Sequence, residues 1–82
     1  MTLKKVNRLL EGLNILVKYY PDSDIDEINY DAVYFGDQLP VVDYYNGYVY
    51  HDLSNISAED KKRLEQLGWF VSQDNNTWKI RL

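Results

Sequence analysis

Asp22, Asp24 and Asp26 stand at alternate positions just after a helical segment, the spacing with which an EF-hand loop begins to gather oxygens around calcium. The rest of that loop is missing. Its sixth position, where glycine makes the sharp turn, is Glu27, and its twelfth, where a bidentate acid closes the shell, is Val33. Residues 22–31 therefore read as a solvated acidic loop, with a weak calcium module as an alternative. His51 beside Asp52 offers the groups of a general acid–base pair. Neighbours in a strand point to opposite faces, however, so Asp52 does not simply orient that imidazole. One histidine and no cysteine do not make an ordinary zinc site. No serine lies in a nucleophile-elbow context, and Gly12, Gly36, Gly47 and Gly68 are scattered one to a break rather than gathered into a phosphate loop. The sequence thus predicts no catalysis and no cofactor.

The remaining candidates suit recognition. Between Tyr19 and Asp60 lie all eight tyrosines, ten acids and no lysine or arginine. The acids are Asp22, Asp24, Asp26, Glu27, Asp31, Asp37, Asp43, Asp52, Glu59 and Asp60. The flanks reverse the sign. Residues 1–18 hold Lys4, Lys5, Arg8 and Lys18 against Glu11, and residues 61–82 hold Lys61, Lys62, Arg63, Lys79 and Arg81 against Glu65 and Asp74. A net charge of −4 thus conceals a negative, aromatic middle between two basic ends, and such asymmetry bears on partners more than the total does. Tyrosine provides large amphipathic contact area at low side-chain entropy cost, and carboxylates set among tyrosines pair with lysine and arginine on a partner. The same middle repels a phosphate backbone, and the basic ends fall short of the continuous positive field of nucleic-acid binders. Direct nucleic-acid binding is not expected.

The elements that must position these groups follow from periodicity. Val6, Leu9, Leu10, Leu13, Leu16, Val17 and Tyr20 recur at spacings of three and four, predicting a helix from about Leu3 to Tyr20 with one broad apolar stripe. Thr2 can cap it and Pro21 ends it. Gly12 lowers helix stability by about 1 kcal/mol relative to alanine, which points to close packing there. Ala32–Phe35 reads as a short strand stopped by Gly36-Asp37. Asn46-Gly47 between two β-rich runs supplies the two positive-φ residues of a type I′ turn and fixes a hairpin register. Tyr45 then faces Tyr48, Tyr44 faces Val49, Asp43 faces Tyr50 and Val42 faces His51. Alternation puts Val42, Tyr44, Val49, His51 and Leu53 on a core face, and Asp43, Tyr45, Tyr48, Tyr50 and Asp52 on an outer one.

Ser57 caps a second helix whose first turn holds Glu59 and Asp60, whose inner residues are Leu64 and Leu67, and which Gly68 stops. A last hairpin around Asn75-Asn76, with Gln73 opposite Trp78, puts Trp69, Val71, Trp78, Ile80 and Leu82 on one face. Phe70, Ser72, Asp74, Thr77, Lys79 and Arg81 fall on the other. The order helix, strand, hairpin, helix, hairpin implies an α+β domain, an antiparallel sheet with both helices on one face. Eighty-two residues, 45% hydrophobic and 15% aromatic, suit one ordered domain spanning 1–82. Without cysteine or a membrane-length apolar run, and with no apolar core to its basic start, the chain is expected to be cytoplasmic and off the membrane.

The run Ile56-Ser57-Ala58-Glu59-Asp60-Lys61-Lys62, followed by Leu64-Glu65-Gln66-Leu67-Gly68-Trp69-Phe70 and by Trp78, resembles a block of small uncharacterised bacteriophage and prophage accessory proteins. Leu16-Val17-Lys18-Tyr19-Tyr20-Pro21-Asp22 and Val33-Tyr34-Phe35-Gly36 are similar in style, and together these segments span about half the chain. The block marks a fold and no activity, since capping and core packing explain its glycine and tryptophans. The longer Tyr44–Tyr50 hairpin departs from that pattern, so added function is expected there. Phage accessory proteins of this size and charge often bind and block host proteins, anti-CRISPR proteins among them. That analogy of type implies a non-enzymatic inhibitor of a host protein, for instance one with a basic nucleic-acid-binding groove that the acidic chain occupies as a mimic. Its contacts would be Asp43, Tyr45, Tyr48, Tyr50 and Asp52, with Asp24, Asp26 and Glu27 adding charge. A structural, self-associating protein, such as a homodimer, would use the same face.

Overall fold

The elements form in the order α1 (Lys5–Tyr19), β1 (Ile25–Ile28), β2 (Ala32–Phe35), β3 (Val41–Tyr45), β4 (Tyr48–His51), α2 (Ala58–Leu67), β5 (Trp69–Val71) and β6 (Trp78–Arg81). The structure, a computed structural model, describes residues 4–82; the Thr2 cap and Leu3 start expected for the first helix lie outside them. Strands β1, β2, β6 and β5 make an antiparallel sheet in that order, and β3 and β4 form a separate two-stranded hairpin. The fold class is α+β, as the sequence predicts. The strands divide into two sheets rather than one.

Register explains the core. Val33 pairs with Ile80 and Phe35 with Trp78, while Trp69 and Val71 pair with those same two residues from the other side. One face of the sheet therefore carries Val33, Phe35, Trp69, Trp78 and Ile80, all buried, and they pack with Leu16 of α1 and Leu64 and Leu67 of α2. Full burial of a leucine side chain contributes about 2 kcal/mol, so these three leucines are major supports of so small a domain. The last hairpin has the expected faces, but its pairing is shifted by two residues: Val71, not Gln73, opposes Trp78. A four-residue loop closed by the Ser72 N–H to the Thr77 carbonyl (2.7 Å), with Asn76 at φ 57, makes the difference. A shift of two preserves parity, which is why the core set survives.

Helix α1 buries less than its stripe promised. Leu16 is fully buried and Leu9, Leu13 and Tyr20 pack against the core, but Val6, Leu10 and Val17 are exposed. Gly12 is where α1 meets the rest of the core. A Cβ there would lie 1.8 Å from Trp69 Nε1, so the indole occupies the space a side chain would fill. Trp69 Nε1 donates to the Arg8 carbonyl at 3.1 Å. Polar bonds also join the two helices outside the core. Lys18 Nζ donates to Asp60 at 2.9 Å, Tyr19 Oη donates to the same carboxylate, and Arg63 grips Glu11 through both Nε and Nη2. Ser57 caps α2 by accepting from the Asp60 N–H, and Gly68 ends it at φ 94 with its N–H on the Leu64 and Glu65 carbonyls.

The acidic segment is not simply a loop. Ile25–Ile28 form edge strand β1, with a bulge between Ile25 and Glu27 and all four residues exposed. Charged side chains and a bulge are what keep an exposed sheet edge from pairing with other chains, and the same charges disguise it as loop. Among the described residues no helix is long and apolar enough to cross a membrane.

Candidate functional site

The β3–β4 hairpin is built from its turn outward. Asn46 and Gly47 both take positive φ (51° and 77°), as a type I′ turn requires, and Tyr45–Tyr48, Tyr44–Val49 and Asp43–Tyr50 pair as predicted. A bulge then intervenes, so Val41 rather than Val42 opposes His51. The bulge and the missing cover overturn the expected core face on β3. Val42 and Tyr44 are 63% and 67% exposed, and every residue of β3 is exposed.

The hairpin meets the body of the protein through β4 and through the segment that leads into β3, where the buried Leu39 donates its N–H to the Asn76 carbonyl at 2.7 Å. Val49, His51 and Leu53 are half-buried. The Gln73 side-chain amide takes both backbone groups of Val49, accepting from its N–H at 2.7 Å and donating to its carbonyl at 2.9 Å. His51 Nε2 bonds Asn76 Oδ1 at 2.7 Å, and the Asp52 N–H closes the base of the hairpin on the Pro40 carbonyl at 2.9 Å. The hairpin is thus a two-stranded arm fastened at its base and along β4 to the β5–β6 loop.

Its outer face holds the predicted site residues. Tyr45, Tyr48 and Tyr50 are 65%, 54% and 45% exposed, and the rings of Tyr48 and Tyr50 lie 4.9 Å apart with a 56° tilt. Asp43 accepts from the Tyr44 N–H at 2.8 Å and its side chain is open to solvent. Asp52 is more committed. It accepts from the Ser54 hydroxyl (2.6 Å) and N–H (3.0 Å), bonds that hold its carboxyl below the ordinary carboxylate range. Asp24, Asp26 and Glu27 are not brought into this cluster. Asp24 immediately precedes β1 and the other two lie on it, and β2 and β6 stand between β1 and the β5 edge. Among the described residues no three acidic or histidine side chains are grouped to hold a metal ion.

A second feature escaped the sequence. Between β4, β5 and one side of α2 runs a groove of about 700 Å³ whose lining includes Tyr48, Tyr50, Phe70, Lys61, Lys79 and Arg81. Lys79 Nζ sits 4.7 Å from the centre of the Tyr34 ring and the Arg81 guanidinium 5.9 Å from that of Phe70. The alternation Phe70, Lys79, Arg81 on the polar face of the last hairpin was legible. That the first hairpin would stand opposite it was not. No protein-family model, curated protein or solved structure matches this chain.

Proposed function

We propose that this protein is a non-catalytic binder that inhibits a host protein by covering part of its surface with the β3–β4 arm. The observation that carries the reading is the exposure of both faces of β3, with tyrosines where a folding role alone would call for polar residues. An isolated two-stranded hairpin has little stability of its own, and a contiguous exposed aromatic patch is the mark of an interaction site. Tyr45, Tyr48 and Tyr50 supply the apolar contact area, and Asp43 supplies charge for a lysine or arginine of the partner. A basic surface is what this chemistry fits, a nucleic-acid-binding groove for instance, since Asp43 and Asp52 flank the three tyrosines on the arm itself. The test begins with a pull-down from host lysate to identify the partner, followed by titration with two variants. Tyr45→Ala and Asp43→Lys should each weaken binding at least about tenfold, or about 1.4 kcal/mol, with an unchanged melting temperature. Normal binding by both variants rules out this face.

A self-associating structural role is the second reading, favoured by the exposed Val6, Leu10 and Val17 on α1. Sedimentation equilibrium decides it. A concentration-dependent dimer that Leu10→Glu disperses supports self-association, and a strict monomer excludes it.

A further inference from the structure

We propose that the groove between β4 and β5 binds an extended acidic peptide segment of a partner protein by adding it as a strand to the β5 edge. β5 is the terminal strand of its sheet. The Ser72–Thr77 bond fixes the ladder's alternation, so the N–H and C=O groups of Val71 and Trp69 point away from β6 and toward the groove. The facing edge of β4 exposes its Val49 groups to the Gln73 amide. That amide meets Val49 as a peptide unit of an added strand would, accepting from its N–H and donating to its carbonyl. Gln73 fills a single position, and the groove continues past it along Val71 and Trp69. With β4 on the opposite wall of the groove, a lone extended segment fits better than the edge of a second copy, whose own neighbouring strand would meet β4.

Three lining groups define the chemistry of the occupant. Lys61, Lys79 and Arg81 line the groove, and none forms a salt bridge among the described residues, although Glu65 and Asp74 are also in the lining. The balance there is positive on a chain of net charge −4. Tyr48, Tyr50 and Phe70 offer aromatic faces for alternate side chains of the added strand. Trp78, also in the lining and 4% exposed, carries an indole N–H that is buried without an acceptor, so its resonance reports on a segment settling against this wall.

The probe is an acetylated, amidated hexapeptide alternating valine and glutamate, titrated into the isotope-labelled chain and followed by amide and indole resonances. Saturable shifts at Val71, Trp69 and the Trp78 indole are the expected result. A peptide with lysine in place of glutamate, or with alternate backbone amides methylated, should bind at least about tenfold more weakly. Lys61→Glu, on the exposed side of α2, should reproduce that loss without touching the sheet, and Lys79→Glu should deepen it. The proposal is overturned if the acidic peptide produces no shifts at millimolar concentration, or if the lysine peptide binds equally well. It is also overturned if an oligothymidine of about ten nucleotides shifts the same resonances while the peptide does not. Tyr45 and Asp43 lie outside the lining, so their variants should leave peptide binding intact. The arm and the groove can therefore fail separately.

Discussion

At the scale of single residues, Gly12 reverses its usual meaning. Replacing a helical glycine by alanine ordinarily stabilises by about 1 kcal/mol. Here the new methyl would fall inside the Trp69 indole, so Gly12→Ala should destabilise by about 1–3 kcal/mol in urea unfolding. A stabilised variant would mean that the indole packs elsewhere. The sequence signalled that something approached this glycine but not which residue, because the partner lies 57 positions away at Trp69. Ionisable residues give a second expectation. Asp60, held by the Tyr19 hydroxyl and then by Lys18, and Glu11, held by Arg63, both titrate below their ordinary values. A depressed folded-state value means that the stabilisation is fully present above the unfolded value near 4 and is lost as pH falls through the folded one. Urea midpoints should therefore decline below about pH 4, and the Asp60→Asn variant should show a shallower decline. Both groups are partly open to solvent, so water and salt keep the effect modest.

At the scale of elements, what was legible was whatever local chemistry alone decides. Asn46-Gly47 fixed a turn because few dipeptides take two positive φ values, and Ser57 with Gly68 bracketed α2 because helix ends need partners for orphan groups. What was not legible depends on neighbours distant in sequence. β1 is so acidic that its pairing with β2 shows only in three dimensions. Tyr44 and Val42 alternate as core residues do, yet no element covers them. Their alternation is that of a hairpin in general, and burial was assigned to a side that has nothing to bury it. The arm's attachment is testable. Gln73→Ala would remove both bonds to Val49. Amide exchange across β3 and β4 should then accelerate at least about tenfold, while the core strands β2 and β6 keep their protection. Equal acceleration in both regions would show that the arm is integral to the core.

At the scale of the whole molecule, the segregated charge of the sequence is spread over separate places in the fold. Asp24, Asp26 and Glu27 lie at or on one edge of the sheet, Asp43 on the arm, and Asp60 serves the joint between the helices. The acidic residues therefore do not converge, and millimolar calcium should leave the melting temperature unchanged. A rise of several degrees would show a cation site that these positions do not anticipate. The surface instead presents two chemistries that share Tyr48 and Tyr50: an acid-flanked tyrosine arm and a cation-lined groove.

The position of β6 imposes an order of events when the chain is made. It is the last strand in sequence but sits inside the sheet, with β2 on one side and β5 on the other. Neither neighbour pairs with the other, so no four-stranded sheet exists until residues 78–81 have emerged. The Trp69 clasp on α1 likewise joins positions 61 residues apart. At ordinary rates of synthesis, roughly 5–20 residues per second, β2 waits about 2–9 s for its inner partner. During that interval its four core-bound residues, Ala32–Phe35, are open to other chains. The acidic strand immediately before them is the strand partner already made, and in a nascent chain its charges protect a greasy segment from aggregation before the full sheet can.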